Sequence, residues 1–163
     1  MNEHIYPLID IQNRSYDRAS AGLQDSYPRR LAMDAPRMSA FLEEKRYAVL
    51  ATGRRDGRPQ AAPIAFSVWR GAFWIATVDG ARLRNLRARP YAAIVVTEGD
   101  ARRRHRTVVA EGPVIVHEGT RVIDADPMFR ERWNTHHGGR PGWAVAMLEL
   151  RPLRIFSFDG ALE

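Results

Sequence analysis

The chain has 163 residues, 45% of them hydrophobic, which is enough for a single domain with a packed core and argues against global disorder. It contains no cysteine, so disulfides, thiolate nucleophiles and thiolate metal sites are excluded. The net charge is +6, a balance that favours anionic partners. The aromatic residues lie within apolar runs and not between the arginines, as a single-strand binding surface would require, so we expect no nucleic-acid partner.

Residues 1–11 mix charged and apolar side chains, so they lack the basic start and the unbroken apolar run of a signal peptide. No stretch of the chain reaches the roughly 18 apolar residues of a membrane span. The absence of cysteine is consistent with a reducing compartment. We therefore expect a cytoplasmic protein that has no membrane partner.

Residues 1–34 show no clean hydrophobic period and are predicted to form an N-terminal arm, with one short helix near residues 16–23. Such an arm either packs on a partner subunit or stays loose. Asp34 is the predicted N-cap of the next helix, because Pro36 suits its first turn. Residues 35–163 are therefore predicted to form the folded domain.

Short apolar runs separated by turn residues begin at residue 47 and predict an antiparallel sheet. Asp56-Gly57 and Arg70-Gly71 are the signals for tight turns between the first three strands. Gly112-Pro113 indicates a bulge or an edge in the fifth strand. Many short strands with few helices predict a barrel or a sandwich. The predicted strands cover residues 47–52, 59–69, 72–77, 91–97, 107–117, 143–150 and 153–158, the helices cover 82–88 and 124–133, and a glycine-rich loop covers 135–142.

The stretch after the third strand carries the strongest chemical signal. The strand ends at Thr77, a loop follows, and a short helix begins with Arg82 and Arg84 in its first turn. The unpaired amides and the dipole at a helix N-terminus favour an anion, and adjacent arginines add charge-assisted hydrogen bonds. This order of elements predicts a phosphate-binding site, and the alternative is an exposed helix whose arginines are solvated.

Together these elements resemble the pyridoxamine-5′-phosphate-oxidase-like family of flavin-binding proteins over residues 38–158. Arg82 occupies the position where that family usually has lysine, three residues before Asn85. The resemblance implies a mainly β fold, a six- to seven-stranded antiparallel split β-barrel with short flanking helices. It also implies a homodimer that holds FMN by its phosphate at the subunit interface. The features that carry the resemblance are the first helix, Asp56-Gly57-Arg58-Pro59, Thr77, Arg82, Asn85-Leu86 and Pro90.

In that family the cofactor lies along the second strand and against the end of the third, and the partner chain also contacts it. Thr107 is the contact expected from the partner, and Phe158 is the aromatic residue expected at the ring system. The implied reaction is hydride transfer at the flavin N5. The sequence offers no convincing acid or base, so we assign no catalytic residue. The resemblance places at the cofactor Ala62, Pro63, Ile64, Ala65, Ser67, Ala76, Thr77, Arg82, Arg84, Thr107 and Phe158.

The chain departs from the oxidases proper in two ways. Ala62 occupies a position where they carry arginine, and the basic C-terminal tail that holds their pyridoxal phosphate is absent. We therefore expect a generic family member that acts on a small molecule other than vitamin B6. Some relatives bind the deazaflavin F420 and a few bind haem, so F420 is the alternative cofactor and haem a less favoured one. A non-catalytic flavin or haem carrier of the same fold is the alternative function.

Three further features each admit two interpretations. His136-His137 could be metal ligands or part of a mobile loop over the substrate, and because adjacent histidines lack the spacing of a zinc site on a helix, we assign no metal. The basic run at residues 102–106 is a solvated loop, or it supplies one or two arginines to a phosphate. Trp133 belongs to the core, or it lines a pocket near the end of its helix.

Overall fold

A computed structural model describes residues 3–163, in which a seven-stranded antiparallel sheet is flanked by short helices. Six strands, in the order β4-β1-β2-β3-β6-β5, close into a barrel because β4 also pairs with β5, and β7 is added along the first half of β5. This confirms the predicted mainly β split barrel. In this part of the chain no helix is long and apolar enough to cross a membrane. The strands are β1 Tyr47–Gly53, β2 Pro59–Trp69, β3 Ala72–Thr77, β4 Tyr91–Glu98, β5 Arg106–Glu118, β6 Ala146–Leu150 and β7 Arg154–Asp159, and the helices are α1 Tyr6–Asp17, α2 Ala21–Ser26, α3 Ala35–Glu44, α4 Ala81–Ala88 and α5 Pro127–His137.

Local sequence signals explain the first half of the barrel. The β1–β2 hairpin turns at Asp56-Gly57, where the Asp56 carboxylate accepts a hydrogen bond from the Arg58 amide at 3.0 Å. The β2–β3 hairpin turns at Arg70-Gly71. α3 begins after Asp34, whose side chain caps the first turn as predicted. Because these interactions are local, the bounds of the first three strands can be predicted from the sequence.

β5 is a strand of 13 residues that changes partner halfway along one side. Its first half pairs with β7 and its second half with β6, while β4 runs along its opposite side. Gly112 lies at the change of partner, where an added β-carbon would come within 2.1 Å of the Arg151 carbonyl oxygen. Only glycine permits that approach. The pairing with β4 continues in register through Pro113, so the predicted bulge or edge is wrong and the glycine instead allows a chain crossing.

The N-terminal segment forms two helices, and the single helix predicted near residues 16–23 is wrong. α1 ends at Asp17, and α2 begins after Ser20, whose hydroxyl accepts a hydrogen bond from the Leu23 amide at 3.3 Å. Two of the four buried residues of α1 are polar, which is why no hydrophobic period was visible in the sequence. The buried face of α1 consists of Leu8, Gln12, Ser15 and Tyr16.

α1 packs on the barrel of its own chain. Ile5 and Leu8 are at most 1% exposed and belong to the same hydrophobic cluster as the barrel interior. The Tyr16 hydroxyl donates a hydrogen bond to the Ser157 carbonyl oxygen of β7 at 3.0 Å. Residues 1–2 of the predicted arm lie outside the described residues. The division of the chain into an arm and a domain stays a prediction.

Two boundaries in the C-terminal half differ from the prediction. α5 begins after Asp126, which caps it, and continues through residues 135–137, which were expected to be loop. It ends at Gly138, whose φ of +72° is the left-handed conformation that glycine favours at a helix C-terminus. β6 begins at Ala146 rather than at residue 143, because Trp143–Val145 turn back from α5 towards the end of β3.

Candidate functional site

A cavity of about 480 Å³ opens beside the barrel, between α4, the end of α5, and strands β2 and β3. We name it the α4–α5 cavity. Small-molecule sites measure roughly 300–1,000 Å³, so its volume suits a ligand. Its wall is mostly apolar and aromatic, and its polar side chains include Arg82, His137 and Arg140. The lining residues are Tyr47, Pro63, Ile64, Ala65, Ala76, Val78, Arg82, Trp133, His137, Gly138, Gly139, Arg140, Pro141 and Trp143.

Arg82 has the surroundings of an anion-binding residue. It lies in the first turn of α4, where the N-cap Gly80 offers no side-chain acceptor to the unpaired amides. Its Nε is buried and has no hydrogen-bond partner within residues 3–163. A buried donor without an acceptor costs about 1–3 kcal/mol, so an acceptor on a ligand would stabilise this arrangement. Burial lowers the pKa of Arg82, yet a guanidinium stays protonated at neutral pH.

The end of β3 holds Arg82 in position. Thr77 is 1% exposed, and its hydroxyl accepts a hydrogen bond from an Arg82 guanidinium nitrogen at 3.4 Å while donating to the Val78 carbonyl oxygen at 3.1 Å. Ala76, one residue earlier, lines the cavity. The strand end and the helix start that the sequence predicted as one site therefore lie together.

The β2 residues predicted at the cofactor divide into two groups. Pro63, Ile64 and Ala65 line the α4–α5 cavity. Ala62 and Ser67 do not line it. Ala62 lies opposite a buried residue of β1, and Ser67 is 1% exposed beneath α5. Direct cofactor contacts from these two residues stay a prediction.

Arg82 and Arg84, the two arginines of α4 that were predicted at the cofactor, point in different directions. Residues two apart on a helix are separated by roughly 200° around its axis. Arg84 is exposed and lines a separate depression beside Arg54, Arg55 and Asn85. The structure therefore brings Arg82 but not Arg84 to the α4–α5 cavity of its own chain.

Thr107 and Phe158 lie at a second cavity, of about 800 Å³, which we name the β4–β5 cavity. Phe158 is 6% exposed, and its ring centroid lies 5.4 Å from that of His105. The Thr107 hydroxyl donates to the Val96 carbonyl oxygen at 3.1 Å. The two cavities share no lining residue. The β4–β5 cavity is lined by Ser26, Tyr27, Val95, Thr97, Gly99, Asp100, Ala101, Arg102, His105, Thr107, Val109 and Phe158.

An apolar strip on the outside of the barrel connects the two cavities. Pro63 pairs with Val49, Val49 with Val95, and Val95 with Val109, across four neighbouring strands. Pro63 lines the α4–α5 cavity, and the two valines of β4 and β5 line the β4–β5 cavity. Val49 is 41% exposed, and Tyr47 on the same strand is 72% exposed. A continuous exposed apolar surface of this kind marks an interaction site.

A buried hydrogen-bond network lies behind the α4–α5 cavity. The Ser67 Oγ lies 3.0 Å from Nδ1 of His136 and 3.1 Å from Nε2 of His137. Nε2 of His137 also lies 2.9 Å from the Phe66 carbonyl oxygen, and Nε2 of His136 lies 3.1 Å from a Glu43 carboxylate oxygen. The hydrogen bond from His136 is the main reason why the pKa of Glu43 falls to about 2, and burial lowers the pKa of His137. The interpretation of the two histidines as a mobile loop is wrong, because both belong to the last turn of α5.

The basic run at residues 102–106 forms ion pairs within its own chain. Arg102 lies 2.6 Å from Glu163, and Arg104 lies 2.6 Å from Asp100. Neither arginine lines the α4–α5 cavity, whereas Arg102 lines the β4–β5 cavity. A role of this run at the phosphate stays a prediction.

Four of the cavity's polar and aromatic residues were not predicted at the cofactor from the sequence: Tyr47, His137, Arg140 and Trp143. His137 could have been found, because Phe129, Trp133 and His137 recur every four residues and Gly138 marks the helix end. The expectation that Trp133 lines a pocket is confirmed. Arg140 and Trp143 come from an irregular segment, and their position depends on how that segment packs.

The cavity therefore combines one cationic end with an apolar wall. The donors at Arg82 and the start of α4 fit a phosphate group. The small side chains of Pro63, Ala65 and Ala76 leave room for a flat ring system against the strands. The arrangement fits an anionic ligand that carries an extended ring.

Comparisons with known proteins bear on the family and the fold. The sequence pattern of the family described as pyridoxamine 5′-phosphate oxidase matches residues 35–157. A search of curated proteins gives no match. Among solved structures, a conserved hypothetical protein from Mycobacterium tuberculosis is similar with a TM-score of 0.71 at 20% identity, over 83% of this chain and 91% of that chain.

Two further structures are similar at lower scores. An F420 reductase gives a TM-score of 0.56 at 22% identity, over 72% of this chain and 94% of that chain. An FAD-binding protein from Mesorhizobium loti gives 0.57 at 16% identity, over 77% of this chain and 94% of that chain. At these identities the similarity shows a common fold.

Proposed function

The chain belongs to the pyridoxamine 5′-phosphate oxidase family, and on this basis we propose that it binds FMN in the α4–α5 cavity and acts as an oxidoreductase on a small molecule. The observation that carries the proposal is the buried, unpartnered Nε of Arg82 at an uncapped helix start. The deazaflavin F420 is the alternative cofactor. The names of the two structural neighbours, an FAD-binding protein and an F420 reductase, support a cofactor of this class.

The residues of the cavity have distinct roles in this proposal. Arg82 and the free amides at the start of α4 bind the phosphate, because both donate hydrogen bonds to an anion. Pro63, Ala65 and Ala76 form the wall against which the ring system lies. Trp133, which is 1% exposed, closes the inner end of the cavity and excludes water. The bound flavin supplies hydride transfer, and the protein supplies binding and orientation.

We also propose that the protein is a homodimer whose interface is the apolar strip around Val49. An isologous interface pairs each surface with its symmetry copy, so one protomer's α4–α5 cavity can meet its partner's β4–β5 cavity. Thr107 and Phe158 of one protomer then complete the cofactor site of the other. The continuity of the strip from Pro63 to Val109 supports this arrangement, because it links the two cavities without a charged side chain.

The cofactor proposal is tested by titrating FMN into the purified chain and into Arg82→Ala. We expect wild-type protein to bind FMN and Arg82→Ala to bind it about 1–3 kcal/mol more weakly, the contribution of a charge-assisted hydrogen bond. Arg87→Ala is the matched control, since Arg87 lies on the same helix and forms an exposed ion pair with Glu118 at 2.9 Å. It should leave the affinity unchanged.

The same titration with F420 and with haem distinguishes the alternatives. Cofactor that binds the folded chain raises its melting temperature, so thermal unfolding provides a second measurement. Tight binding of F420 with weak binding of FMN would establish the alternative cofactor. The absence of a thermal shift with all three cofactors would overturn the proposed function. Equal FMN affinity in wild type and Arg82→Ala would show that Arg82 does not bind the phosphate.

The dimer is tested with Val49→Lys, which places a charge in the middle of the strip. We expect a monomer by analytical ultracentrifugation and a loss of FMN affinity, because the partner's contribution to the site is removed. Ile115→Lys is the control, since Ile115 is also a β-branched strand residue, with 38% exposure against 41% for Val49, and lies outside the strip. A dimer that persists in Val49→Lys would contradict this interface.

A further inference from the structure

The hydrogen-bond network behind the α4–α5 cavity has a defined direction. A carbonyl oxygen only accepts hydrogen bonds, so Nε2 of His137, 2.9 Å from the Phe66 carbonyl oxygen, must carry the hydrogen. The Glu43 carboxylate also only accepts, so Nε2 of His136 carries its hydrogen and Nδ1 is left as an acceptor. Ser67 then donates to His136 and accepts from His137. Every donor of these four side chains therefore has an acceptor, in one chain of hydrogen bonds that runs from His137 to Glu43.

This direction leaves one lone pair without a protein partner. With its hydrogen on Nε2, neutral His137 has a free acceptor at Nδ1, and no residue of the described chain donates to that atom. His137 lines the α4–α5 cavity, and its ring lies 4.3 Å from the Trp133 ring, centroid to centroid. His136 is 7% exposed by side chain, so it does not present a second base to solvent. The free base of this network is therefore at the cavity.

We propose that His137 exchanges a proton with the molecule bound in the α4–α5 cavity, and that Ser67, His136 and Glu43 are positioning residues that hold its ring and stabilise the resulting charge. The inference rests on the proposed function in so far as it assigns a ligand to that cavity. In the oxidative direction an X–H bond of the substrate breaks, its electron pair stays on X and forms a double bond to the adjacent carbon, and the proton bonds to Nδ1. The hydride on that carbon would be accepted by the flavin that the proposed function assigns to the cavity. In the reductive direction Nδ1 returns the proton.

The chain of hydrogen bonds from His137 through Ser67 and His136 to Glu43, which we call the relay, stabilises the charge that this step creates. When Nδ1 gains a proton, His137 becomes a cation that keeps its Nε2 proton, because the Phe66 carbonyl oxygen accepts from it. The same Nε2 proton points to Ser67, Ser67 donates to His136, and His136 donates to the Glu43 carboxylate at 3.1 Å, so the hydrogen bonds are polarised towards that negative charge. This stabilisation needs no movement of heavy atoms, because every donor already lies within 3.1 Å of its acceptor.

Most of the groups around His137 disfavour its protonated form. Burial and the positive groups near it lower its pKa, which favours the free base at neutral pH. The hydrogen bond to the Phe66 carbonyl oxygen acts in the opposite direction, and Glu43 places a negative charge beside His136. The titratable and charged groups that face this region are Glu43 of α3, Arg46 between α3 and β1, Tyr47 of β1, Arg82 of α4, Arg132 and His136 of α5, and Arg140 of the following segment.

The first test uses nitrogen-15 NMR of the histidine rings in the ligand-free chain, which has five histidines. We expect neutral His137 as the Nε2–H tautomer, and protonation at Nδ1 only below the ordinary histidine range. We expect Glu43→Gln to lower the titration point of His137 more in the wild-type background than in Ser67→Ala, because Ser67 transmits the effect. The Nδ1–H tautomer, or equal shifts in both backgrounds, would overturn the relay. Ser67→Thr, which keeps a hydroxyl, should behave as wild type and serves if Ser67→Ala does not fold.

The second test uses the FMN-loaded protein and measures the midpoint potential of the bound flavin against pH. A proton taken up by His137 on reduction changes the slope of this plot near the histidine titration point. We expect that break in the wild type and its loss in His137→Gln, whose amide can still donate to the Phe66 carbonyl oxygen. Glu43→Gln provides a second variant at a more exposed position, and the break should move to lower pH.

The outcomes separate the two proposals. FMN binding with identical plots in wild type and His137→Gln would overturn this inference and leave the proposed function standing. No binding of FMN, F420 or haem would overturn the proposed function, while the NMR titration would still decide whether the relay exists.

Discussion

Two serines on opposite sides of the barrel tie helices to strands, Ser67 on β2 and Ser157 on β7. Their exposures are 1% and 0%, and each hydroxyl makes two hydrogen bonds to residues far away in sequence. A buried hydroxyl with both of its hydrogen bonds made fixes the element that it contacts. The two sites differ in the chemistry of the partners, and that difference separates a structural contact from a candidate functional one.

The Ser157 network contains no group that titrates near neutral pH. Its hydroxyl donates to a Gln12 side-chain oxygen at 2.5 Å and accepts from the Met33 amide at 2.8 Å, and Gln12 in turn donates to the Met33 carbonyl oxygen at 2.8 Å. Tyr16 donates to the Ser157 carbonyl oxygen, and burial raises the pKa of Tyr16 to about 12. The protons of this network therefore stay in place, and its role is to hold α1 against β7.

The Ser67 network uses two imidazoles and a carboxylate in the same architectural role. It also borders the α4–α5 cavity through His137, whereas Ser157 lines neither of the two cavities described above. A buried serine that holds a helix against a strand is therefore a candidate member of a proton relay only under two conditions. Its partners must be able to exchange protons, and one of them must line a cavity. Three predictions test that difference.

The largest expected effect is on stability after removing each hydroxyl. Ser157→Ala should lower the free energy of unfolding by about 2–3 kcal/mol, because the buried Met33 amide loses its acceptor. Ser67→Ala should cost only about 1 kcal/mol, since His136 and His137 keep their other partners. Urea unfolding at about pH 6 and about pH 8 should show a pH-independent loss for Ser157→Ala and a pH-dependent one for Ser67→Ala. Equal, pH-independent losses would remove the contrast between the two networks.

A smaller effect is expected from Glu43→Gln. The pKa of Glu43 is lowered from 4.5 to about 2, so its ion pairing stabilises the fold above pH 4.5, and this stability is lost as the pH falls towards 2. Because the side chain is 35% exposed, solvent screening reduces the contribution to about 1–2 kcal/mol. Glu43→Gln should be less stable than wild type by that amount at neutral pH and equally stable in strong acid, as measured by denaturant unfolding. A constant difference at every pH would contradict the ion-pair explanation.

The smallest effect is expected from Tyr16→Phe, which removes one buried hydrogen bond and should cost about 1 kcal/mol at neutral pH. Because the folded-state pKa of Tyr16 is raised from 10 to about 12, its contribution is present below pH 10 and is lost as the pH rises towards 12. The difference between wild type and Tyr16→Phe should therefore shrink over that interval. Thermal unfolding in alkaline buffers measures it, and an unchanged difference would show that Tyr16 is ionised equally in both states.

The hairpins and the anion-binding helix start could be predicted from the sequence because short-range interactions determine them. Asp56-Gly57 and Arg70-Gly71 specify turns by themselves, and Asp34 caps a helix through an amide three residues away. The same holds for Arg82, whose partner Thr77 is five residues earlier in the chain. α1 escaped prediction for the opposite reason, since its buried polar residues are explained only by β7 and residue 33, which lie far along the chain.

Tertiary structure alone decided where the chemistry of the cavity lies. Glu43 and His136 are 93 residues apart, and Ser67 and His137 are 70 apart, so no local pattern could show that they form one network. The packing of α5 over β2 brings these residues together. The direction in which Arg84 points and the apolar strip from Pro63 to Val109 likewise depend on helix orientation and on strand register across the closed barrel. The turns, the strands and the cationic start of α4 follow from the sequence, because each depends on neighbours in the chain. The hydrogen-bond network around Ser67 and the proposed dimer interface depend on contacts between distant segments.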